Sequence, residues 1–118
     1  MHMRKGVTPL EIAEEKCAEA LRILAEPTRL QVVLSLLEAP KHVGELNEGL
    51  EVKQSLLSHH LRVLRNAKLV DGRRDGRHVL YRLSPAIRPA GRVGCLDLGC
   101  CRLTFSERRE GPGESRES

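Results

Sequence analysis

Three of the chain's four cysteines lie within seven residues, in the run Cys95-Leu96-Asp97-Leu98-Gly99-Cys100-Cys101. Thiolates are soft ligands and select thiophilic ions, so Cys95, Cys100 and Cys101 are candidate ligands for one such ion. Gly94 and Gly99 give the backbone freedom to fold non-adjacent sulfurs together. Structural zinc ordinarily takes four ligands, and no histidine follows His78 to complete a set. Cd(II), Pb(II) and Cu(I) remain candidates. Two of the same thiols could instead form a reversible disulfide or polysulfide, with Arg92 and Arg102 favouring the thiolate. A third reading is a packed strand with inert thiols. Cys17 falls on an apolar helical position and is expected to pack in the core or at a dimer interface.

A second set of chemistry-bearing residues lies in Gln54-Ser-Leu-Leu-Ser-His-His-Leu-Arg-Val-Leu-Arg65. On a helix, Gln54, Ser55, Ser58, His59 and Arg62 share one polar face. Gln can pair with adenine and Arg with guanine in the major groove of DNA, while Ser and His adapt to bases or phosphates. His60 faces nearer the apolar side and is expected in the core. Arg73, Arg74 and Arg77 cluster around Asp75-Gly76 and suit phosphates or the minor groove.

The charge is split along the chain. Residues 10–51 carry nine glutamates against four basic residues, and residues 52–83 carry eight basic residues against two aspartates. An acidic half beside a basic half outlines a nucleic-acid binder. With only Tyr81 and Phe105 as aromatics, base stacking on single strands has no platform, and duplex DNA is the expected partner.

The elements that must carry these residues follow from periodicity. Pro9 opens a helix with Leu10, Ala13, Cys17, Ala20, Leu21 and Leu24 on one face, and Pro27 stops it. A second helix runs to Glu38 with Leu30, Val33, Leu34 and Leu37 on its stripe, widened by Val32 and Leu36. Val43 to Leu50 and Gln54 to Ala67 form two more, joined by a brief turn: a helix-turn-helix. Asp75-Gly76 between β-prone runs then signals a hairpin. Leu96, Leu98, Leu103 and Phe105 suggest short extended pieces packing on the domain. The expected fold is α+β, mainly α: a winged helix-turn-helix of about four or five helices plus a two-stranded wing. The expected organisation is a flexible 1–8, a DNA-binding domain over 9–84, a cysteine-containing inducer segment over 85–105 and a disordered tail over 106–118.

The segments AEPTRLQVVLSLLEA, VGELNEGLEVKQSLLSHHLRVLRNAKLV and DGRRDGRHVLYRL together resemble the ArsR/SmtB family of bacterial repressors, from about Ala20 to Leu83. The resemblance implies a homodimer on a palindromic operator, released by an inducer that is often a metal or metalloid ion. It also exposes departures. Where many relatives hold a Cys-Val-Cys pair in the third helix, this chain has His42-Val43-Gly44. The Asp-, His- and Glu-rich C-terminal helix of other relatives is replaced by SPAIRPAGRVGCLDLGC. Some atypical relatives carry arsenite-binding cysteines near the C-terminus, and As(III) or Sb(III) needs only three thiolates. The favoured expectation is therefore an As(III)/Sb(III) site at Cys95, Cys100 and Cys101. The alternative is a redox or persulfide sensor on the same cysteines, and a DNA binder with no inducer is the third. With no nucleophile–base pair of notable spacing, no apolar run of membrane length and no signal-type N-terminus, a cytoplasmic non-enzyme is expected.

Overall fold

Proline suits a first helical turn, where its missing N–H costs nothing, and Pro9 opens α1 (Pro9–Leu24). The computed structural model describes residues 9–85, 87–89 and 95–106. The expected flexible 1–8 and, beyond Ser106, the expected disordered tail lie outside the described residues. Leu24 of α1 is buried, and Ala20 and Ile23 pack against the core. Leu21, expected on the same stripe, is exposed.

Helix α2 (Pro27–Glu38) again begins on a proline, and the Glu26 carboxylate caps it by accepting the Arg29 N–H at 2.8 Å. Val32, Val33 and Leu36 are buried, with Leu37 packed beside them. Lys41 and His42 form a two-residue strand, β1 (Lys41–His42), before α3 (Val43–Leu50). Lys41 holds this entry in place, its Nζ donating to the Ser35 carbonyl at 2.9 Å and to Glu38 at 3.1 Å. Glu51 ends α3 in the left-handed region (φ 56°), and the Asn47 side chain donates to the Val52 carbonyl. Those two features close the turn into α4 (Gln54–Asn66), whose Leu57, His60, Leu61 and Leu64 are buried.

Strands β2 (Val70–Asp75) and β3 (His78–Leu83) pair antiparallel from Val70↔Leu83 to Asp75↔His78. The connecting residues are therefore Gly76 and Arg77, with Gly76 at φ 67°. A Gly-X pair with positive φ at the first position matches the twist of a two-residue hairpin. Beyond the two expected wing strands, β1 adds a third edge, Lys41↔Tyr81 and His42↔Leu80, giving the order β1-β3-β2. A helix-turn-helix followed by this hairpin is a winged helix-turn-helix.

The segment after Ser84 is not peripheral. Strands β4 (Arg88–Pro89), β5 (Cys95–Asp97) and β6 (Arg102–Thr104) make a second antiparallel sheet. Ile87 and Leu96 are buried in the same core as the helices, and Leu98 and Leu103 pack against it. Leu96 has no exposed surface, so Leu96→Ala is expected to cost about 2–5 kcal/mol of stability. Urea unfolding of the reduced protein measures this, and a loss below about 1 kcal/mol would contradict the packing described.

Candidate thiol site and nucleic-acid interface

The β5–β6 hairpin decides where the clustered cysteines go. Asp97 Oδ1 accepts the Gly99 N–H at 2.8 Å, Gly99 takes φ 89°, and the Leu98 N–H donates to the Cys101 carbonyl at 2.8 Å. The charges of Asp97 and Arg102 face each other at 3.6 Å across the last paired position. Leu98 to Cys101 are thereby the loop, and Cys100 and Cys101 sit at its tip. Cys95 is a buried strand residue opposite Thr104, its Sγ 3.6 Å from the Thr104 hydroxyl. The structure does not bring Cys95 together with Cys100 and Cys101, because a strand residue so placed stays back in the sheet while the loop carries its neighbours outward.

Cys17 takes the third place. Its Sγ is bonded to that of Cys100, and the Cys101 Sγ lies 3.9 Å from Cys100. Cys17, expected to pack in the core or at a dimer interface, is instead bonded to Cys100. Cys17 lies on the face of α1 turned to the hairpin loop, so residues 83 apart in sequence meet there. All three sulfurs fall within 4.8 Å of one another and all three residues are half-buried. Two thiolates on one ion at about 2.3 Å can be no more than about 4.6 Å apart. Once the Cys17–Cys100 bond is reduced, these three residues are the candidate donors for a single soft ion. Cys95 and Cys101 are the free thiols of the structure.

The second surface is polar. Gln54, Ser55, Ser58, His59 and Arg62 are all exposed on α4, opposite its buried leucines. Arg73, Arg74 and Arg77 are exposed on the wing. Consecutive strand residues point to opposite faces, so Arg73 and Arg74 do not share a side of the wing. Leu56, read as widening the apolar stripe, is instead 45% exposed in the first turn of α4. Its place in the helical period, about a quarter-turn off the buried face, was the available signal.

His42 ties the wing turn to α3. Its Nε2 is 2.8 Å from Asp75 at the wing turn, and its Nδ1 is 3.3 Å from Glu45 on α3. Hydrogen bonding to Asp75 is the main cause that raises its pKa above the ordinary 6.5, with Glu45 adding to it. The backbone N–H of His42 in turn holds the Glu45 carboxyl below its usual range. A raised histidine pKa means both contacts are fully made below pH 6.5 and are lost as pH rises through the raised value. Asp75→Asn should move the His42 titration, followed by the ring proton shifts, back toward 6.5. An unmoved titration would remove Asp75 as the cause.

Residues 26–71 match the family model described as bacterial regulatory protein, arsR family. The chain is 39% identical over 82 residues to the biofilm growth-associated repressor of Agrobacterium fabrum, covering 67% of this chain and 70% of that protein. The chain belongs to the ArsR family. This ArsR-family chain is also 47% identical over 76 residues to the HTH-type transcriptional repressor SmtB of Mycobacterium tuberculosis, 64% of this chain; the chain spans 56% of that relative's length. Its fold is similar to that of reduced HlyU from Vibrio cholerae, with a TM-score of 0.62, 38% identity and coverage of 66% of this chain and 82% of that one. Among the described residues, no helix is long and apolar enough to cross a membrane.

Proposed function

We propose that the protein is a homodimeric transcriptional repressor that binds palindromic operator DNA and releases it when As(III) or Sb(III) is captured by Cys17, Cys100 and Cys101. Each subunit sets Gln54, Ser55, Ser58, His59 and Arg62 into one major-groove half-site, with Arg73, Arg74 and Arg77 along the backbone or minor groove. The observation that carries the inducer reading is the convergence of three sulfurs within 4.8 Å, where a disulfide alone needs two. Capture is a condensation: each thiol proton leaves with a hydroxide of arsenous acid as water, and three As–S bonds replace three As–O bonds. The ion would fasten α1 to the β5–β6 loop, and it acts as an inducer only if the DNA-free arrangement binds it more tightly. This reading keeps Cys100 and Cys101 from the sequence-based set and puts Cys17 in place of Cys95.

The Cys17–Cys100 bond favours a second reading, in which oxidation is the signal. Two thiols give up two protons and two electrons to a peroxide or polysulfide, and the same two elements are fastened.

Cys101→Ser separates the readings. Reduced protein on labelled operator is titrated anaerobically with arsenite and, separately, with diamide. Metalloid capture by three thiolates predicts that the variant loses the arsenite response and keeps the diamide response. Wild-type protein that ignores arsenite but responds to diamide makes oxidation the function. Protein that binds no duplex DNA at all ends both readings.

A further inference from the structure

A partly buried polar contact set ties the helix bearing Cys17 to the helix that faces DNA. The Arg29 side chain donates from Nε to the carbonyl of Ile23, in the last turn of α1, at 2.8 Å. Its Nη1 lies 3.2 Å from Nδ1 of His60, a buried residue midway along α4. The guanidinium has donors only and stays charged, so His60 must accept through an unprotonated Nδ1. The proton of the neutral imidazole is then on Nε2, which faces Glu26 at 3.8 Å. Glu26 also caps α2 through the Arg29 N–H. One planar fork thus bridges α1, the start of α2 and α4, and lysine cannot reproduce it, since an ammonium presents no fixed two-direction geometry.

Ile23 lies six residues after Cys17 on the same helix, and His60 lies between Ser58 and Arg62, flanked by His59. A displacement of α1 by the thiol site therefore pulls directly on the segment whose neighbours face DNA. We propose that Arg29, acting through His60, is the positioning residue that transmits the thiol state of α1 to the DNA-reading helix. This rests on the function proposed above. Apolar packing of Leu24 also joins α1 to the core, but packing has no fixed direction, whereas the two Arg29 hydrogen bonds set the angle between the helices.

The test measures operator dissociation constants for fully reduced and diamide-oxidised protein, in wild type, Arg29→Lys, His60→Leu and His60→Gln. The quantity read is the oxidised-to-reduced ratio, typically 5- to 150-fold for coupled sites. A merely structural role weakens both states alike and leaves the ratio unchanged. The proposal expects the ratio to fall toward one in Arg29→Lys and His60→Leu. His60→Gln, which keeps an acceptor, should restore most of it and serves where His60→Leu folds poorly. A pH series adds an independent readout. Burial lowers the His60 pKa below 6.5, with the charges of Arg29 and His59 adding and Glu26 opposing. Acidification through that lowered value sets two cations against each other, so the wild-type ratio should fall with pH while that of His60→Gln stays flat. Equal ratios in all four proteins overturn the proposal while leaving the thiol switch standing. A wild-type ratio of one, together with no arsenite response, overturns the switch itself, and the relay with it.

Discussion

Cys100→Ser is expected to stay on its operator through doses of arsenite and of diamide that strip the wild-type protein from it. Cys100 is, with Cys17, one of the two sulfurs common to both chemistries, bonded to Cys17 and 3.9 Å from Cys101. Without it, arsenic keeps two of three thiolates, and Cys17 loses the partner with which it closes onto the hairpin loop. If the coupling between thiol state and DNA is of ordinary size, the lost response is about 5- to 150-fold in operator affinity, read by fluorescence anisotropy. Reduced Cys100→Ser should bind DNA as the reduced wild type does, because the site is built from α1 and the β5–β6 loop and uses no residue of α4 or the wing. Cys95→Ser should keep both responses, since that thiol sits in the sheet against Thr104. A diamide response surviving in Cys100→Ser would mean that Cys17 and Cys101 can pair in its stead, and would move the redox centre to Cys101.

The second large effect belongs to the wing. Removing Arg73, Arg74 and Arg77 together is expected to weaken operator binding and, more tellingly, to flatten its salt dependence. Each phosphate contact contributes about 0.9 to the slope of log K against log salt. Because Arg73 and Arg74 point to opposite faces of β2, about two of the three arginines per wing are expected to reach the backbone, or about four in the proposed dimer. The slope should then flatten by roughly 3.5, which near 0.15 M salt corresponds to a loss of roughly a thousandfold. A variant with an unchanged slope would show that the wing arginines are solvated charge and leave α4 to carry the interface alone.

The helices were legible because their apolar residues repeat at three and four and because Pro9 and Pro27 mark first turns. The β2–β3 hairpin was legible from Gly76, although the turn is one residue later than Asp75-Gly76 suggests. Strand β1 was not, since two residues have no periodicity and their pairing with Tyr81 and Leu80 is a tertiary event. The polar face of α4 could be read from spacing alone. The thiol site was legible only in part. A run of seven residues invites all its cysteines into one site, but Asp97 and Arg102 bracket a hairpin loop that holds Cys100 and Cys101 and leaves Cys95 outside. The entry of Cys17 depends on how α1 packs, which local sequence does not encode.

The bond between Cys17 and Cys100 encloses nearly every residue that would touch DNA: α2, α3, α4 and the wing all lie within it. Oxidised, the polypeptide is a ring with two tails, a lasso that remains closed when the fold is lost. Closing a ring of this length removes chain entropy worth about 4–5 kcal/mol from the unfolded state. The denatured oxidised chain must also be smaller than the reduced one and run ahead of it on a gel without reductant. A protease cut at the exposed wing turn would leave two fragments that travel together until the disulfide is reduced. The thiol state of this protein can therefore be read from the shape of its unfolded chain, with no DNA present.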